Sequence, residues 1–328
     1  MKVALFGASG FIGRVIGDRL RAEAIEHVGL SHRNRSGCFV PIDFGHPDGY
    51  AHLLRGVTTA VLLVAQSRPG LPGGRTEAEI RNDVRPYAAF AGIAAAAGLR
   101  HVVYLSSGGT VYGSQPDRTP ITEDHPTNPI DAYGARKLMT ESVLRSSLGA
   151  AGVGLTVLRP SNPVGAAQRF EPVGFVARAV HASVAGATID VWGDGSTVRD
   201  HFDVADLADA VIRSLGGDTS HRVYNVGSGV GTGIDEVLAL VHDLGGRPIR
   251  RRYLPARPFD VPVNVLSSDR IARDLGWTVR KDMRRIVSDL LEAFGGTGRS
   301  PDAAGYAGLP PVRSGRSAEP APRHPSRE

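Results

Sequence analysis

Apolar runs and their spacing mark out strands and helices along most of the chain. Lys2–Phe6 is a short apolar, β-prone run that stops at Gly7. From Arg14 the spacing turns helical, with Ile16 and Leu20 on one face. His27–Leu30 reads as a second strand and Cys38–Phe44 as a third, followed by a polar turn and short helix over His46–Gly56. Thr59–Ala65 is apolar throughout, which predicts a strand buried on both faces. A Pro/Gly loop, Ser67–Arg75, leads into a helical stretch, Thr76–Gly98, whose alanines at 94–97 suit close packing against a second copy of the chain. His101–Leu105 is a fifth strand. Strand and helix thus alternate, which predicts an α/β fold with a doubly wound parallel sheet.

The alternation continues with a polar loop (Asp117–Asp131), a helix (Tyr133–Leu148) and a sixth strand (Leu155–Leu158). Beyond Gly165 the rhythm changes. Helices are expected over Phe170–Ala185, Val204–Leu215, Ile234–Leu244, Asp269–Leu275 and Lys281–Phe294. Short strands are expected at Ile189–Val191, Arg222–Val226 and Arg250–Leu254, and Val198–Phe202 carries Arg199-Asp200. This divides the chain into a sheet domain, 1–165 with 203–228 returning to it, and a smaller lobe, 166–202 with 229–295. Residues 296–328 are rich in Gly, Pro, Ser and Arg with few bulky apolar residues, which predicts a disordered tail.

Composition narrows the class. The 328 residues are 41% hydrophobic and 22% charged, with a net charge of +5. The arginines are scattered rather than interleaved with aromatics in a stripe, so no nucleic-acid partner is expected. A single cysteine, Cys38, excludes an intrachain disulfide and makes a thiolate metal site implausible. No metal is expected. No stretch is apolar enough over sufficient length to span a membrane, and no leader precedes the first strand, so a cytoplasmic location is expected.

Candidate chemistry begins where the first strand ends. Gly7, Gly10 and Gly13 fall between a strand and a helix. That order makes a phosphate cradle: a tight turn, close backbone approach to a pyrophosphate, and tight packing of helix on strand. The second strand ends in Ser31-His32-Arg33, without the acid that commonly meets a ribose hydroxyl. The cofactor is therefore NAD or NADP, with His32 and Arg33 leaning toward NADP. Asp43 is placed to meet the adenine amino group.

Tyr133 and Lys137 stand at i and i+4 of one helix, on one face. A tyrosine ionises near ~10, too high for a base at neutral pH. A nearby ammonium favours the phenolate, which can then take a hydroxyl proton as hydride leaves. The serine-rich segment Ser106–Gly113, at the end of the fifth strand, lies where such sheets bind ligands and offers a hydroxyl to hold the substrate oxygen.

Together these features resemble the extended short-chain dehydrogenase/reductases of the nucleotide-sugar epimerase/dehydratase family, from Met1 to about Phe294. The resemblance rests on the glycine turn, Asp43, Asn82, SSGGTVYG and Tyr133-x-x-x-Lys137. Later matches are Arg159-Pro-x-Asn162-x-x-Gly165, Gly193-Asp194-Gly195, Arg199-Asp200, Asn225-x-Gly227 and Leu275-Gly276-Trp277. It implies a Rossmann-type sheet with a smaller C-terminal substrate-binding lobe, and a homodimer. It implies that Gly7, Gly10, Phe11, Ile12 and Gly13 line the pyrophosphate, that Asp43 and Phe44 neighbour the adenine, and that Ala65, Asn82, Ser106 and Pro160 also border the cofactor. Tyr133 would be the acid/base, and Lys137 would also grip the nicotinamide ribose. Asn162, Ile189, Val191, Arg199, Arg257 and Asp260 would hold a nucleotide sugar.

Three departures stand out. Val64-Ala65-Gln66 replaces a frequent Ala-Ala pair. Gly108 occupies the place of the hydroxyl residue that assists the tyrosine, which shifts that role to Ser107 with Thr110. Thr110 in turn stands where dehydratases carry an acid, which disfavours dehydration. The expected function is a nucleotide-sugar 4-epimerase working through a keto intermediate. An NADPH-dependent 4-ketoreductase and a non-catalytic sensor or scaffold on the same fold are the alternatives.

Overall fold

The computed structural model describes residues 1–32, 38–64, 82–114, 117–170, 173–217, 220–257 and 260–295. The expectations placed on Arg33, on Ala65 and on the tail after residue 295 lie outside them. Residues Met1–Gly296 form one compact unit.

Its centre is a seven-stranded sheet among the described residues. The strands are β1 Lys2–Phe6, β2 Glu26–Ser31, β3 Val40–Pro41, β4 Thr59–Leu62, β5 His101–Leu105, β6 Gly154–Pro160 and β10 His221–Val226. They lie side by side in the order β10-β6-β5-β4-β1-β2-β3. Every pairing is parallel. Side chains alternate across the sheet as a period of two requires. Ala4 and Phe6 face one core with Leu62 and Tyr104, whereas Val3 and Leu5 face the other with Val61 and Val103.

Helices cover both faces. On the first lie α2 (Arg85–Ala94) and α4 (Ala132–Ala150), through Tyr87, Phe90, Leu144 and Leu148. Pro86 sits in the first turn of α2, where its missing N–H costs nothing. On the second face lie α1 (Phe11–Ala22) and α6 (Val204–Ser214), through Ile16, Leu20, Leu207 and Val211. Between β5 and α4 runs a single helical turn, α3 (Gly108–Val111).

A third core joins α5 (Phe175–Ala185), α7 (Ile234–Asp243) and α9 (Met283–Gly295) to β8 (Thr188–Trp192), which pairs with β12 (Arg250–Leu254). A small sheet bridges the two parts. There β9 (Val198–Asp203) pairs with β7 (Asn162–Val164), β11 (Gly231–Gly233) and β13 (Val263–Asn264). Helix α8 (Asp269–Leu275) packs Ile271 onto the second face of the main sheet.

The third strand is shorter than expected: it covers only Val40–Pro41, so Asp43 and Phe44 lie beyond it. The segment after β6 contains β7, whose pairing places Asn162 opposite His201.

Candidate active site

The order of the main sheet reverses between β1 and β4, which opens a crevice at the carboxyl end of β1. Gly7 occupies it with φ +86°, a conformation that L side chains rarely adopt. Its N–H donates to Leu30 O at 2.9 Å, and Gly10 N–H donates back to Gly7 O at 3.1 Å. A Cβ on Gly13 would stand 2.3 Å from Gly7 O, so only glycine lets α1 lie this close to the turn. A Cβ on Gly10 would meet only Gly7 O, at 3.4 Å, so the backbone there is open to an approaching group. The cradle therefore fits a dinucleotide pyrophosphate over the start of α1. Phe11 and Ile12 open that helix.

Around the adenine position the residues divide. Asp43 is exposed, and its carboxylate accepts from Gly45 N–H and bonds His46 Nδ1, both at 2.9 Å. These bonds, the Gly45 one first, hold its carboxyl below the ordinary range. The Phe44 ring instead turns into the core, edge-on to Phe6 and Tyr87, which leaves only its backbone for a ligand. Ser31 is buried and its hydroxyl bonds Ser9, while His32 is exposed.

Helix α4 carries the central pair. Asp131 caps it, accepting from Gly134 N–H at 2.6 Å. Tyr133 is in the first turn, and Lys137 follows one turn later. Lys137 Nζ donates to Leu105 O at 2.7 Å, lying 5.0 Å from the Tyr104 ring centroid and 5.7 Å from that of Tyr133. Burial lowers Lys137 to about 8, against the upward pull of Asp83 and Glu141.

The expected electrostatics of Tyr133 differ from those observed. The phenol is pushed up, by burial first and then by the charges of Asp131 and Asp83; only a hydrogen bond with Ser107 acts the other way. In the protein alone Tyr133 is a neutral phenol. The lysine is tied to a carbonyl and lies over the ring, rather than being aimed at the hydroxyl.

Beneath the serine-rich loop lies a buried polar scaffold. Arg159 donates to both oxygens of Glu141, and its Nη1 donates to the Tyr112 hydroxyl at 2.9 Å. Ser106 donates to Glu141, and Tyr112 donates to Asn225 Oδ1 at 2.7 Å. Ser106 is thus a buried strut in the protein alone. Pro160 ends β6, opposite Val226.

A cleft of about 390 Å³, in the usual size range of small-molecule sites, lies between the sheet and the third core. Ser107, Thr110, Asn162, Val191, Arg199, Arg257 and Asp260 all line it. Ile189 does not: it is 2% exposed and packs in the third core. Asn162 Nδ2 donates to Asp200 O at 3.0 Å. Arg257 Nε bonds Asp260 Oδ2 at 2.8 Å, and its guanidinium lies 5.0 Å from the Trp192 ring centroid. Arg199 Nη1 donates to the carbonyls of Val198 and Pro262, at 2.9 and 3.3 Å. Among the described residues no carboxylate is within ion-pair distance of it. Burial, reinforced by Arg257 and opposed by Asp260, lowers it to about 10. A half-buried guanidinium beside a second one suits a polyanion such as a diphosphate.

Several residues in the site were missed by sequence reasoning. Asp83 lines the pocket behind Tyr133 and Lys137, whereas its neighbour Asn82 is exposed. Asp131, Ser161, Trp192 and His201 line the cleft. The signal for His201 was present: it stands two residues after Arg199 on β9, hence on the same face. His201 Nδ1, Ser161 Oγ and Thr110 Oγ1 are buried without a hydrogen-bond partner among the described residues. Asp200, by contrast, is a fold-holding residue, accepting from the N–H groups of Ser228, Gly229 and Leu266.

The profile of the NAD dependent epimerase/dehydratase family matches residues 3–227. A UDP-glucose 4-epimerase of Mycolicibacterium smegmatis is 29% identical over 311 residues, 90% of this chain and 98% of the relative. A UDP-glucose 4-epimerase of Azospirillum brasilense is 32% identical over 257 residues, 72% of each protein. The crystal structure of the Thermus thermophilus UDP-glucose 4-epimerase in complex with NAD has a TM-score of 0.83 at 25% identity, over 90% of this chain and all of that one.

Proposed function

Since the chain belongs to the NAD-dependent epimerase/dehydratase family, a group of extended short-chain dehydrogenase/reductase enzymes, we infer that it interconverts the C4 epimers of a nucleotide-linked sugar, with NAD as its cofactor. The observation carrying this reading is one shared cleft. Ser107, the side chain that favours the Tyr133 phenolate, lines it together with the two guanidiniums of Arg199 and Arg257. Relatives named UDP-glucose 4-epimerase favour UDP as the carrier and glucose or galactose as the sugar.

In this reading Arg199 and Arg257 grip the diphosphate, each guanidinium able to bind phosphate oxygens in pairs. Trp192 offers an aromatic face beside Arg257 for the base. Ser107 holds the sugar O4 against the Tyr133 hydroxyl, with Thr110 assisting. Bound NAD supplies a two-electron acceptor for the hydride of C4. Tyr133 takes the O4 proton as that hydride leaves, and its phenolate is favoured by the positive charges of Lys137 and of an oxidised nicotinamide. The 4-keto sugar then turns over within the cleft. Tyr133 returns its proton to O4 as hydride comes back to the opposite face.

The test is a panel of UDP and dTDP sugars incubated with NAD+ and, separately, NADPH. Inversion at C4 with no net cofactor consumption is expected. Stoichiometric NADPH oxidation with reduction of a 4-keto sugar would overturn the epimerase reading and favour a ketoreductase. The same panel decides the NADP preference expected from His32 and Arg33. The mass of the purified protein in solution checks the homodimer expected through the alanine-rich helix.

A further inference from the structure

Behind Tyr133 and Lys137 two further charges are buried. Asp83 lies in the helical turn before α2, and Arg136 lies on α4, three residues after Tyr133. Arg136 Nε and Asp83 Oδ2 are 2.8 Å apart, with the side chains 9% and 10% exposed. Both line a small pocket that they share with Tyr133, Lys137, Tyr104 and Val64.

Burying two ions costs several kcal/mol each before they attract one another, so an apolar contact would join these helices at less cost. Tyr87, Phe90 and Ala91 of α2 already supply such contact to the core that α4 shares. The ion pair therefore needs another reason. Its place supplies one, because it ties the start of α2 to the turn of α4 that bears Tyr133. Its charge supplies a second, because the Asp83 carboxylate acts on both members of the pair, favouring the ammonium and opposing the phenolate.

We propose that the Asp83–Arg136 ion pair is a positioning element of the hydride-transfer site, fixing the α4 turn that carries Tyr133 and setting a buried carboxylate behind the Tyr133–Lys137 pair. This rests on the role given to Tyr133 above. Other groups face the same two side chains. Asp131 acts on Tyr133 in the same sense as Asp83, and Glu141 acts on Lys137 likewise. Tyr87 and Tyr104 border the pocket as neutral phenols, both pushed up by burial. Removing Asp83 therefore moves the balance without abolishing it.

The test is a tyrosinate absorbance titration of the full chain saturated with NAD+, taken as a difference against Tyr133→Phe to isolate one phenol among eight tyrosines. Asp83→Asn is expected to lower the Tyr133 midpoint, and Arg136→Gln to raise it, each by about 1 pH unit. A clasp with only a structural role would shift both variants in one direction or neither, and either result overturns the proposal. Because a lone buried guanidinium threatens folding, the double variant Asp83→Asn/Arg136→Gln is measured too. Its midpoint is expected below that of the unmodified protein, since the carboxylate is the pair's dominant charge at the phenol; an unchanged midpoint overturns the proposal. Midpoints that move as expected in a protein that turns over no nucleotide sugar would sink the epimerase reading alone.

Discussion

Arg159 meets Glu141 with two prongs, Nε to Oε1 at 3.1 Å and Nη2 to Oε2 at 2.6 Å, and both side chains are less than a tenth exposed. The pair ties β6 to α4 directly beneath Ser106. Removing one partner leaves the other charged and buried. Arg159→Ala and Glu141→Ala are each expected to cost about 3–5 kcal/mol, read by urea denaturation. Glu141→Leu combined with Arg159→Met, which leaves no orphan charge, is expected to recover most of that loss.

Gly108 explains its own departure from the family pattern. A Cβ there would stand 2.4 Å from Leu266 Cδ1 and 2.8 Å from Arg159 O. Packing, rather than chemistry, excludes a hydroxyl at this position, and the proposed reading gives the role to Ser107 instead. Gly108→Ser is expected to destabilise by about 1–3 kcal/mol through overpacking, and to leave an inactive Ser107→Ala background unrescued. Thermal melts and kcat measured on the same preparations check both halves.

Arg199 is a half-buried cation whose hydrogen bonds go to backbone carbonyls. If it grips a diphosphate, Arg199→Ala loses charge-assisted bonds worth about 1.5–3 kcal/mol, or roughly 10- to 100-fold in KM, with a smaller change in kcat. Arg199→Lys is expected to rescue little, because an ammonium lacks the planar fork. Steady-state kinetics with UDP-glucose measure the split.

His201 makes stability depend on pH. Unfolded, it ionises near its ordinary ~6.5. Folded, burial, reinforced by Arg199, pushes it down to about 4. Between those values the unfolded chain binds more protons, so this contribution is whole above ~6.5 and is lost as pH falls toward the folded value. His201→Gln removes it. The stability gap between variant and unmodified protein should move in the variant's favour by roughly 2–3 kcal/mol from pH 7 to pH 4.5. An unchanged gap in urea titrations contradicts the assignment.

Local pattern made much of this legible. The apolar run Lys2–Phe6, the break at Gly7 and the helical spacing after it are short-range signals, and they locate β1, the cradle and α1. The four-residue spacing of Tyr133 and Lys137 is equally local. What was not legible depends on phase or on distant pairing. Asn82 and Asp83 differ by one residue, which is 100° around a helix, and only packing shows which of them faces the pocket. The ladder that sets Asn162 opposite His201 joins segments far apart in sequence, which no local pattern reveals. The neutral state of the Tyr133 phenol follows from burial, to which spacing is blind.

The central claim is that hydride leaves C4 and returns to the same carbon while Tyr133 moves only the hydroxyl proton. The most direct measurement uses UDP-glucose deuterated at C4, incubated in ordinary water with the NAD+-loaded protein and with Tyr133→Phe. The account predicts UDP-galactose that keeps its C4 deuterium, with the variant slower by about 100- to 10,000-fold yet still binding NAD+. Loss of the label to solvent, or a Tyr133→Phe protein as fast as the unmodified one, would contradict it.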